Sequence, residues 1–588
     1  MFRYALKRAA FFRPGGRKSA SLLLQPSLTR PGSLSRSFHE LNNRSRSSAF
    51  DAVSGIGVNN QNPTTSPSAR LPLRDDTIYA LSSGSGRAGI AVIRISGPDC
   101  LDVYHALCPA KPPPKPRFAG VRTLVEPGGQ GSTVNIVDSD ALVLHFPGPK
   151  TVTGEDVLEL HVHGGAATVK AVLSAIPKSL PSGGIRYAEP GEFTRRAFIN
   201  NRLDLAQVES LGDTLAAETE QQRRAAVRGN SGVLGKTYES WREQLLLARG
   251  EIEALIDFSE DQHFDESPAE LLSNVTRLVE GILHSIQLHQ DGSQRSELLR
   301  NGIRIALLGP PNVGKSSLMN QIVGREASIV SAEAGTTRDI VEASLDIRGY
   351  LCSFADTAGI RTHKTSAVIG AIEQEGIRRA RKKALDSDVV IVLASVEPAD
   401  DSGGGSHRIS YDTETLQLAA GAQQCLVAVN KSDAVDPQSF AALLQHFKTS
   451  VLCSVEGLHK AEPLTLSCKA AEKAAVAAVR LTDPGGIQTL TDRLVQSFAA
   501  LTSLPDDLQH LLGVTERQNQ LLTQCRRHLL EFMDEASVCG ADGDADIVLA
   551  AEHLRLAGLR LASITGRGAS GDVEEVLGVI FEKFCVGK

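Results

Sequence analysis

Residues 309–316 restrict the fold of this chain more than any other segment, because they read Gly-Pro-Pro-Asn-Val-Gly-Lys-Ser. The mostly apolar residues 304–308 before them predict a β-strand, and a helix is predicted from residue 317 onwards. In such a loop between a strand and a helix, backbone N–H groups surround phosphate oxygens and the helix N-terminus adds positive potential. Lys315 is expected to bridge the β- and γ-phosphates, and Ser316 to ligate Mg²⁺. The segment therefore predicts an α/β domain that binds a nucleoside triphosphate.

Three further motifs have the order and spacing of a Ras-like GTPase domain. Residues 356–359 read Asp-Thr-Ala-Gly, where the Asp reaches Mg²⁺ through water and the Gly amide can hydrogen-bond the γ-phosphate. Residues 430–433 read Asn-Lys-Ser-Asp, and the Asp433 carboxylate can accept hydrogen bonds from N1 and N2 of guanine, a pair of donors that adenine lacks. Residues 467–469, Ser-Cys-Lys, can contact guanine O6. GTP is therefore the predicted nucleotide.

The residues predicted to contact GTP lie in these four motifs and in a loop between the first two of them. Residues 335–339 of that loop read Gly-Thr-Thr-Arg-Asp, and Thr337 is expected to complete the Mg²⁺ shell with Ser316. The full set of predicted GTP contacts is Asn312, Val313, Gly314, Lys315, Ser316, Ser317, Thr336, Thr337, Asp356, Thr357, Ala358, Gly359, Asn430, Lys431, Asp433, Ser467, Cys468 and Lys469.

The predicted hydrolytic machinery departs from that of Ras. Ile360 follows the Asp-Thr-Ala-Gly motif, where Ras-type proteins have the Gln that orients the attacking water. An isoleucine side chain cannot orient water, so hydrolysis must use another group. Asn312 lies next to the place where an arginine finger would act, and it could hold a monovalent cation between the β- and γ-phosphates.

The pattern along the chain predicts a multidomain α/β plus α protein. Residues 75–195 predict an α+β domain, and residues 299–498 the Ras-like G domain. Residues 196–298 and 499–588 are mostly helical. In the first of these stretches the apolar residues Trp241, Leu245, Ala248, Ile252 and Leu255 recur at helical spacing. The simplest architecture is a G domain inserted between two helical halves that share one bundle.

The N-terminal segment differs in charge from the rest of the chain. Residues 1–50 carry ten Lys or Arg and a single acid, a charge of +9, whereas the whole chain carries −6 and the remainder therefore −15. Scarce acids with frequent Arg and Ser predict a mitochondrial transit peptide followed by a linker, over residues 1–74. The alternative is a basic, disordered tail that binds RNA. The acidic remainder indicates that a nucleic acid partner is not held by a globally basic surface.

Two other features of composition narrow the class of protein. The sequence has no uncharged apolar run of 18 residues, so no transmembrane segment is predicted. Nine cysteines are scattered without a Cys-x-x-Cys pair, which argues against a disulfide scaffold or a cysteine-rich zinc site and suits a reducing compartment.

Motifs outside the G domain resemble one family. The chain is similar over about residues 75–588 to the MnmE/TrmE family of tRNA-modification GTPases, in its mitochondrial form. The discriminating motifs are those at residues 89–97, 153–156, 190–194, 196–198 and 202–205, together with the tail Phe-Cys-Val-Gly-Lys at 584–588.

The resemblance implies an N-terminal folate-binding-like domain that binds 5-formyltetrahydrofolate, a one-carbon donor, and mediates homodimerisation. It implies a G domain that dimerises across the nucleotide in a potassium-dependent way. With an MnmG-like FAD-dependent partner, the family installs an aminomethyl-type group at C5 of the wobble uridine of certain tRNAs. In the mitochondrial matrix the substrate would be mitochondrial tRNA, and the added amine could be glycine or taurine.

The resemblance also assigns residues around the folate. Arg94, Glu159 and Lys588 match folate contacts, and Arg202 occupies the position of a family lysine, so the charge is kept. Cys585 matches a tail cysteine near the folate, where it is either catalytic or a buried small apolar residue.

For hydrolysis, the resemblance assigns a cation site and a water-orienting acid. Glu373 matches the glutamate that orients the attacking water, whereas the nearby Glu375 does not match it. The alternative for both residues is a solvated acid on a helix face. The predicted catalytic residues are thus Asn312, Lys315, Glu373 and Cys585. The predicted potassium ligands are Asn312, Ser331, Glu333, through its backbone carbonyl, and Thr336.

Two functional alternatives stay open from the sequence. The chain could be a GTPase of ribosome assembly, which would share the G domain but leave the N-terminal domain and the tail unexplained. It could also be a folate-dependent methyltransferase in which GTP is only regulatory. His161 and His163 lie two apart on a predicted strand and face one side, but no further ligand cluster lies nearby in sequence, so a metal site there is disfavoured.

Overall fold

The computed structural model describes the N-terminal domain, the helical bundle and most of the G domain. The described residues are 76–128, 135–180, 183–257, 268–325, 327–331, 344–355, 386–399, 406–476, 483–538, 546–567, 584 and 587. The predicted transit segment lies outside these residues.

The N-terminal domain is built on a sheet of order β3-β4-β5-β2-β1-β6. β6 pairs in parallel with β1, and the other neighbouring strands are antiparallel. The strands are β1 (Thr77–Leu81), β2 (Ile90–Ser96), β3 (Gly120–Val125), β4 (Ile136–Phe146), β5 (Val157–His163) and β6 (Ile185–Tyr187). The helices are α1 (Cys100–Leu107), α2 (Ala166–Ala175) and α3 (Glu192–Ile199).

The alternation of side chains along β1 and β2 decides which helices cover which face of this sheet. Tyr79, Ile93 and Ile95 are buried with α1 and α2. Ile78 and Ala80, one residue out of step with Tyr79, are buried against Phe193 of α3 on the other face. Arg94 alternates with its buried neighbours and therefore faces α3.

Four helices follow the N-terminal domain and lead to the G domain. They are α4 (Leu205–Ala216), α5 (Glu220–Gly229), α6 (Val233–Asp257) and α7 (Pro268–Asn301). Asp204 caps α4 by accepting a hydrogen bond from the backbone N–H of Gln207 at 2.8 Å, and the Gln207 side chain bonds back to the Asp204 backbone. This capping box fixes the point at which the chain turns from the sheet into the helical domain.

The G domain begins directly after α7. Its sheet has the order β14-β13-β11-β7-β10-β9-β8, with β12 paired to β11. The strands are β7 (Ile303–Leu308), β8 (Ala327–Ser331), β9 (Ser344–Ile347), β10 (Tyr350–Ala355), β11 (Val389–Pro398), β12 (His407–Ser410), β13 (Gln424–Asn430) and β14 (Leu464–Thr465). The helices are α8 (Lys315–Arg325), α9 (Thr413–Ala420), α10 (Pro437–His446), α11 (Cys468–Val476) and α12 (Ile487–Thr502). The central strands β10, β7, β11, β13 and β14 are parallel.

The last two described helices, α13 (Glu516–Val538) and α14 (Ile547–Thr565), return to the bundle. Their apolar residues share one core with α6 and α7, and Trp241, Leu245, Ala248 and Ile252 are buried in that core as the spacing predicts. This arrangement confirms the predicted fold class, an α/β G domain inserted between two halves of one helical bundle.

Hydrogen bonds join the two halves of the bundle to each other and the bundle to the G domain. Glu209 of α4 accepts hydrogen bonds from Arg517 at 2.5 Å and from Gln518 at 2.7 Å, both on α13. On the other side, the Gln221 backbone N–H of α5 donates to the Gly349 carbonyl in the β9–β10 turn at 3.0 Å. Ala225 of α5 belongs to the hydrophobic core of the G domain.

Some local features differ from the sequence pattern. Leu215 follows Val208 at helical spacing on α4, but it is 46% exposed and lines a cavity, whereas Val208 is buried. None of the described helices is both long enough and apolar enough to cross a membrane.

Candidate nucleotide site and N-terminal cavity

The phosphate loop is shaped by glycines for which no other residue fits. Gly309 and Gly314 have φ angles of +148° and +98°. A Cβ at Gly309 would lie 2.2 Å from the Leu393 carbonyl oxygen, and one at Gly314 would lie 2.3 Å from the Asn430 side-chain nitrogen. Asn312 also has a positive φ of 63°. The loop therefore passes between β7 and α8 in a conformation that only glycine permits at these two positions.

Lys315 and the two serines after it begin α8. The Lys315 ammonium donates hydrogen bonds to the carbonyls of Gly309 at 2.7 Å and Pro310 at 2.8 Å, so it lies across its own loop. Burial lowers the pKa of Lys315 from its ordinary value. Ser316 and Ser317 are exposed in the first helical turn, where their hydroxyls are accessible to a ligand.

Asn430 joins the phosphate loop to the base-recognition loops. Its side-chain amide donates to the Val313 carbonyl at 2.8 Å, and its side-chain oxygen accepts from the Cys468 backbone N–H at 3.2 Å. Asn430 is only 3% exposed, so both polar ends of its side chain bond to backbone rather than to water. This residue positions two loops at once.

The base-recognition residues lie at the carboxyl ends of β13 and β14. The Ser467 hydroxyl donates to the Asp433 carboxylate at 2.6 Å and accepts from the Ala470 backbone N–H at 3.0 Å. Lys431 has a positive φ of 61°, and its ammonium lies 3.4 Å from Glu397 at the end of β11. Burial raises the pKa of the Cys468 thiol to about 11, so this cysteine is neutral at physiological pH. Lys469 is exposed beside it.

These loops follow parallel strands, so they meet at one edge of the sheet. Ligands bind at this edge in open α/β sheets. The structure thus brings together the predicted GTP contacts of residues 312–317, 430–433 and 467–469. Ser331 is the last residue of β8. The remaining predicted contacts of the nucleotide, Mg²⁺, potassium and water lie outside the described residues, and these are Glu333, Thr336, Thr337, Asp356, Thr357, Ala358, Gly359 and Glu373.

A second cavity, here called the N-terminal cavity, has a volume of about 570 Å³. It lies between the α3 face of the sheet and helices α3 and α4. It is lined by Arg94, Arg117, Phe146, Lys150, Thr151, Val152, Val157, Glu159, Phe193, Thr194, Ala197, Arg202, Leu203, Leu211 and Leu215. The volume is in the range of small-molecule sites.

The polar residues of the N-terminal cavity are mostly cationic. Arg94 donates to Glu159 at 3.0 Å, and its guanidinium lies 5.8 Å from the centre of the Phe193 ring. Arg202 donates to the Thr151 carbonyl at 2.9 Å. Arg117 and Lys150 add two further cations, so four positive groups share the cavity with one carboxylate. Such a lining suits an anionic ligand that also has an aromatic or heterocyclic part.

The described residues of the C-terminal tail lie against α4 and the N-terminal domain. Phe584 is buried with Leu205 and Val208 of α4. The Gly587 carbonyl accepts a hydrogen bond from the Ser82 hydroxyl at 2.7 Å. Cys585 and Lys588 themselves lie outside the described residues.

Comparison with known proteins gives matches over nearly the whole described chain. Residues 77–202 match the family model described as GTP-binding protein TrmE N-terminus, and residues 205–585 match the MnmE helical domain. The chain belongs to the MnmE/TrmE family of tRNA-modification GTPases. The predicted resemblance and the predicted class of enzyme are thereby confirmed.

Relatives from animals and bacteria cover similar parts of the chain. A Danio rerio protein, "5-taurinomethyluridine-[tRNA] synthase subunit GTPB3, mitochondrial", is 38% identical over 87% of this chain and 93% of its own length. A Homo sapiens protein of the same name is 37% identical over 89% and 95%. A Paramagnetospirillum magneticum protein, "tRNA modification GTPase MnmE", is 39% identical over 87% and 100%.

A solved structure matches part of the chain. A structure of Aquifex aeolicus Era bound to GDP and AlF4− covers 39% of this chain and 67% of the Era chain at 24% identity. Its TM-score is 0.21, which is too low to support a structural argument.

Several motifs that mark the MnmE/TrmE family meet in one partly buried network of ion pairs. Glu192 accepts hydrogen bonds from Arg186 at 2.5 and 2.8 Å, and Arg196 contacts Asp76 at 2.7 Å and Glu155 at 3.1 Å. Residues 153–156 and 190–198 are thus joined through ion pairs. The network holds α3, which supplies Phe193 to the wall of the N-terminal cavity.

Sequence reasoning identified some residues of this cavity and missed others. Arg94, Glu159 and Arg202 were predicted to share a site, and all three line the cavity. Arg117, Lys150 and Phe193 were not singled out as site residues. Phe193 lies within a family motif, which was an available signal, whereas the two cations come from loop segments with no distinctive pattern.

His161 and His163, the two histidines of β5, each contact a different carboxylate. The His161 ring lies 3.4 Å from Glu159, and the His163 ring lies 2.9 Å from Asp138. The two imidazoles therefore have separate acidic partners.

Proposed function

We propose that this chain is the GTP-hydrolysing subunit of a mitochondrial enzyme that modifies C5 of the wobble uridine in mitochondrial tRNA. The group installed would be of the aminomethyl type, with its carbon taken from a tetrahydrofolate derivative. The observation that carries the proposal is the presence in one MnmE-family chain of a guanine-type nucleotide site and a cationic cavity next to the C-terminal tail.

The residues of the N-terminal cavity fit a folate. Glu159 offers a carboxylate to the amino and ring N–H groups of a pterin, and Phe193 offers an aromatic surface. Arg94, Arg117, Lys150 and Arg202 offer positive charge to the glutamate carboxylates of the ligand. When bound, 5-formyltetrahydrofolate or a related tetrahydrofolate would supply the one-carbon unit. The family resemblance implies that Lys588 and Cys585 of the tail lie at the same site.

The G domain would use Mg²⁺ and K⁺ in the way that the family resemblance implies. Ser316 is exposed at the start of α8, where a hydroxyl can ligate Mg²⁺, and Thr337 is its predicted companion. Asn312, which is exposed in the phosphate loop, is the predicted potassium ligand, together with Ser331, Glu333 and Thr336. Glu373 would orient the attacking water.

Partners and location follow from the relatives and the sequence. The animal relatives are named mitochondrial, which agrees with the +9 charge of residues 1–50 and supports import into the matrix. Their name also favours taurine over glycine as the amine. We further propose a homodimer that acts with an MnmG-like FAD-dependent partner.

The proposal is tested by reconstitution. The purified chain, the MnmG-like partner, tRNA, GTP, a tetrahydrofolate and isotopically labelled taurine or glycine are incubated together, and tRNA nucleosides are analysed by mass spectrometry. Label at C5 of the wobble uridine that requires both proteins and GTP hydrolysis is the expected result. A C5 methyl group formed without GTP hydrolysis would favour the folate-dependent methyltransferase instead.

A pair of variants makes the test specific to the N-terminal cavity. Glu159→Gln removes the carboxylate of the cavity and should reduce incorporation of the label while GTP hydrolysis by the chain alone continues. Lys178→Ala removes an exposed lysine that pairs with Glu126 on the same domain, and it should leave incorporation unchanged. If Glu159→Gln incorporated as much label as Lys178→Ala, the N-terminal cavity would have no part in the reaction.

A further inference from the structure

Three side chains with metal-ligating atoms converge between the last two helices of the bundle. His528 and Glu531 lie one helical turn apart on α13, and His553 lies opposite them on α14. Their ligand atoms lie within 4.8 Å of one another. Nδ1 of His528 lies 3.0 Å from one Glu531 carboxylate oxygen, and Nδ1 of His553 lies 3.2 Å from the same oxygen.

The surroundings of these atoms favour a cation over simple hydrogen bonding. His553 Nδ1 is buried and makes no hydrogen bond, although it lies close to the carboxylate. His528 is only 7% exposed. A cation among the three atoms would use the His553 nitrogen, which is otherwise buried without a partner at a cost in free energy. The other Glu531 oxygen lies 3.9 Å from Arg527, which leaves the first oxygen to the histidines.

We propose that His528, Glu531 and His553 form a binding site for a first-row divalent transition-metal ion, for which Zn²⁺ is the probe. Two imidazoles and one carboxylate are a ligand set that zinc and iron accept in proteins. Glu531 is the exposed member of the set, with 41% of its side chain accessible, so a fourth position toward solvent is available to water. The site is proposed for binding alone and does not depend on the proposed function.

The position of the site gives it a structural consequence. Arg517 at the start of α13 donates to the carbonyls of Ser563 and Ile564 at the end of α14, each at 3.0 Å. The metal site joins the same two helices at a second point along their length. A bound ion would therefore fix the register of α13 against α14, and α14 leads into the tail that contacts α4 through Phe584.

Calorimetric titration of the full-length chain with Zn²⁺ tests the proposal. The chain is first freed of metal with a chelator, and excess Mg²⁺ and GDP are present so that the nucleotide site is occupied. We expect one saturable site. We expect His553→Gln and Glu531→Gln each to weaken Zn²⁺ binding at least about tenfold, since each removes a ligand. His446→Ala and His459→Ala, which change exposed histidines of the G domain, are matched controls and should leave the affinity unchanged.

A measurement on the unaltered chain keeps the proposal testable if a variant misfolds. Co²⁺ added to the metal-free chain should give visible d–d absorption of a nitrogen- and oxygen-ligated site, and Zn²⁺ should displace it. Zn²⁺ should also raise the melting temperature of the wild type but not that of Glu531→Gln. The proposal is overturned if the wild type shows no saturable Zn²⁺ binding, or if Glu531→Gln and His553→Gln bind Zn²⁺ as tightly as the wild type.

Discussion

The side-chain amide of Asn430 lies 2.8 Å from the carbonyl oxygen of Val313, so the predicted base-recognition loop is bonded directly to the predicted phosphate loop. The other end of the same side chain holds the Cys468 backbone. A substitution at Asn430 should therefore disturb both the phosphate loop and the base-recognition loop.

Asn430→Ala is expected to weaken GTP binding by about tenfold or more. The substitution leaves the Val313 carbonyl and the Cys468 N–H without their partner in a buried place, at about 1–3 kcal/mol for an unsatisfied group. Fluorescent-nucleotide titration measures the loss. Asn135→Ala, at an exposed asparagine of the N-terminal domain, is the control and should not alter affinity. Wild-type affinity in Asn430→Ala would show that the two loops hold their positions independently.

Asp433→Asn should shift the preference from GTP toward xanthosine triphosphate. Asn replaces one acceptor oxygen of the Asp433 carboxylate with a donor NH₂ group. Xanthine carries an acceptor oxygen where guanine carries its N2 amino group, so the new donor suits xanthine. Competition between the two nucleotides measures the shift. Asp436→Asn is the neighbouring control, because Asp436 caps α10 and Asn caps helices equally well. Unchanged hydrolysis of limiting GTP by Asp433→Asn would contradict the assignment of Asp433 to the base.

GTP hydrolysis should rise steeply when potassium replaces sodium. Ile360 cannot orient water, and an arginine finger is worth about 10³–10⁵ in rate, so a cation in its place should contribute at least roughly tenfold. Asn312→Ala should abolish the difference between the ions while nucleotide binding stays nearly intact. Glu373→Ala should lower the rate in potassium without changing the ion preference, since it acts on the water. Equal wild-type rates in the two salts would point to a finger supplied by a partner.

Binding of 5-formyltetrahydrofolate should weaken in Arg94→Ala and in a chain that lacks Lys588. Loss of Arg94 removes a positive group beside Glu159 and Phe193, and we expect about a tenfold weaker affinity, or about 1.4 kcal/mol. GTP affinity should not change, because the nucleotide site lies in another domain. If calorimetry showed wild-type folate affinity for the truncated chain, Lys588 would not contribute to binding in the N-terminal cavity.

Glu192 predicts a dependence of stability on pH. Burial raises the pKa of Glu192, but the hydrogen bonds from Arg186 and from the Glu189 backbone, with the charges of Arg186 and Arg196, outweigh it, so the pKa is below the ordinary 4.5. A lowered pKa contributes stability that is present above the unfolded pKa and is lost as pH falls through the folded one. The melting temperature of Glu192→Gln should therefore be below that of the wild type at neutral pH, and the gap should narrow below pH 4.5.

The control for this pH dependence is Glu456→Gln, at an exposed acid in a turn of the G domain. Its melting temperature should follow that of the wild type at every pH. A constant gap between Glu192→Gln and the wild type across the pH range would mean that the carboxylate charge contributes nothing to stability.

How much the sequence could predict depends on whether a feature is local. The phosphate loop was predictable because the spacing of Gly, Lys and Ser within residues 309–316 is a local pattern that indicates the loop conformation. The bond between Asn430 and Val313 was not, since it joins segments far apart in the chain. The same holds for Arg196, whose partners Asp76 and Glu155 lie far from it in the sequence.

One edge strand of the N-terminal sheet, β3, was not predicted from the sequence. β3 (Gly120–Val125) follows a proline-rich loop and has register shifts against β4, so its apolar and polar residues do not alternate in a regular pattern. The converging histidines of α13 and α14 gave no sequence signal either, because each helix contributes too few ligands to form a recognisable motif.

The most direct test is the mass spectrum of wobble uridines in mitochondrial tRNA from cells that lack this chain, with wild type or Lys315→Ala reintroduced. We expect the C5 aminomethyl-type group to be missing, to return with the wild type and to stay missing with Lys315→Ala, whose nucleotide site is impaired. Unchanged wobble uridines accompanied by defective ribosomal RNA maturation would contradict the proposed function and assign the GTPase to ribosome assembly.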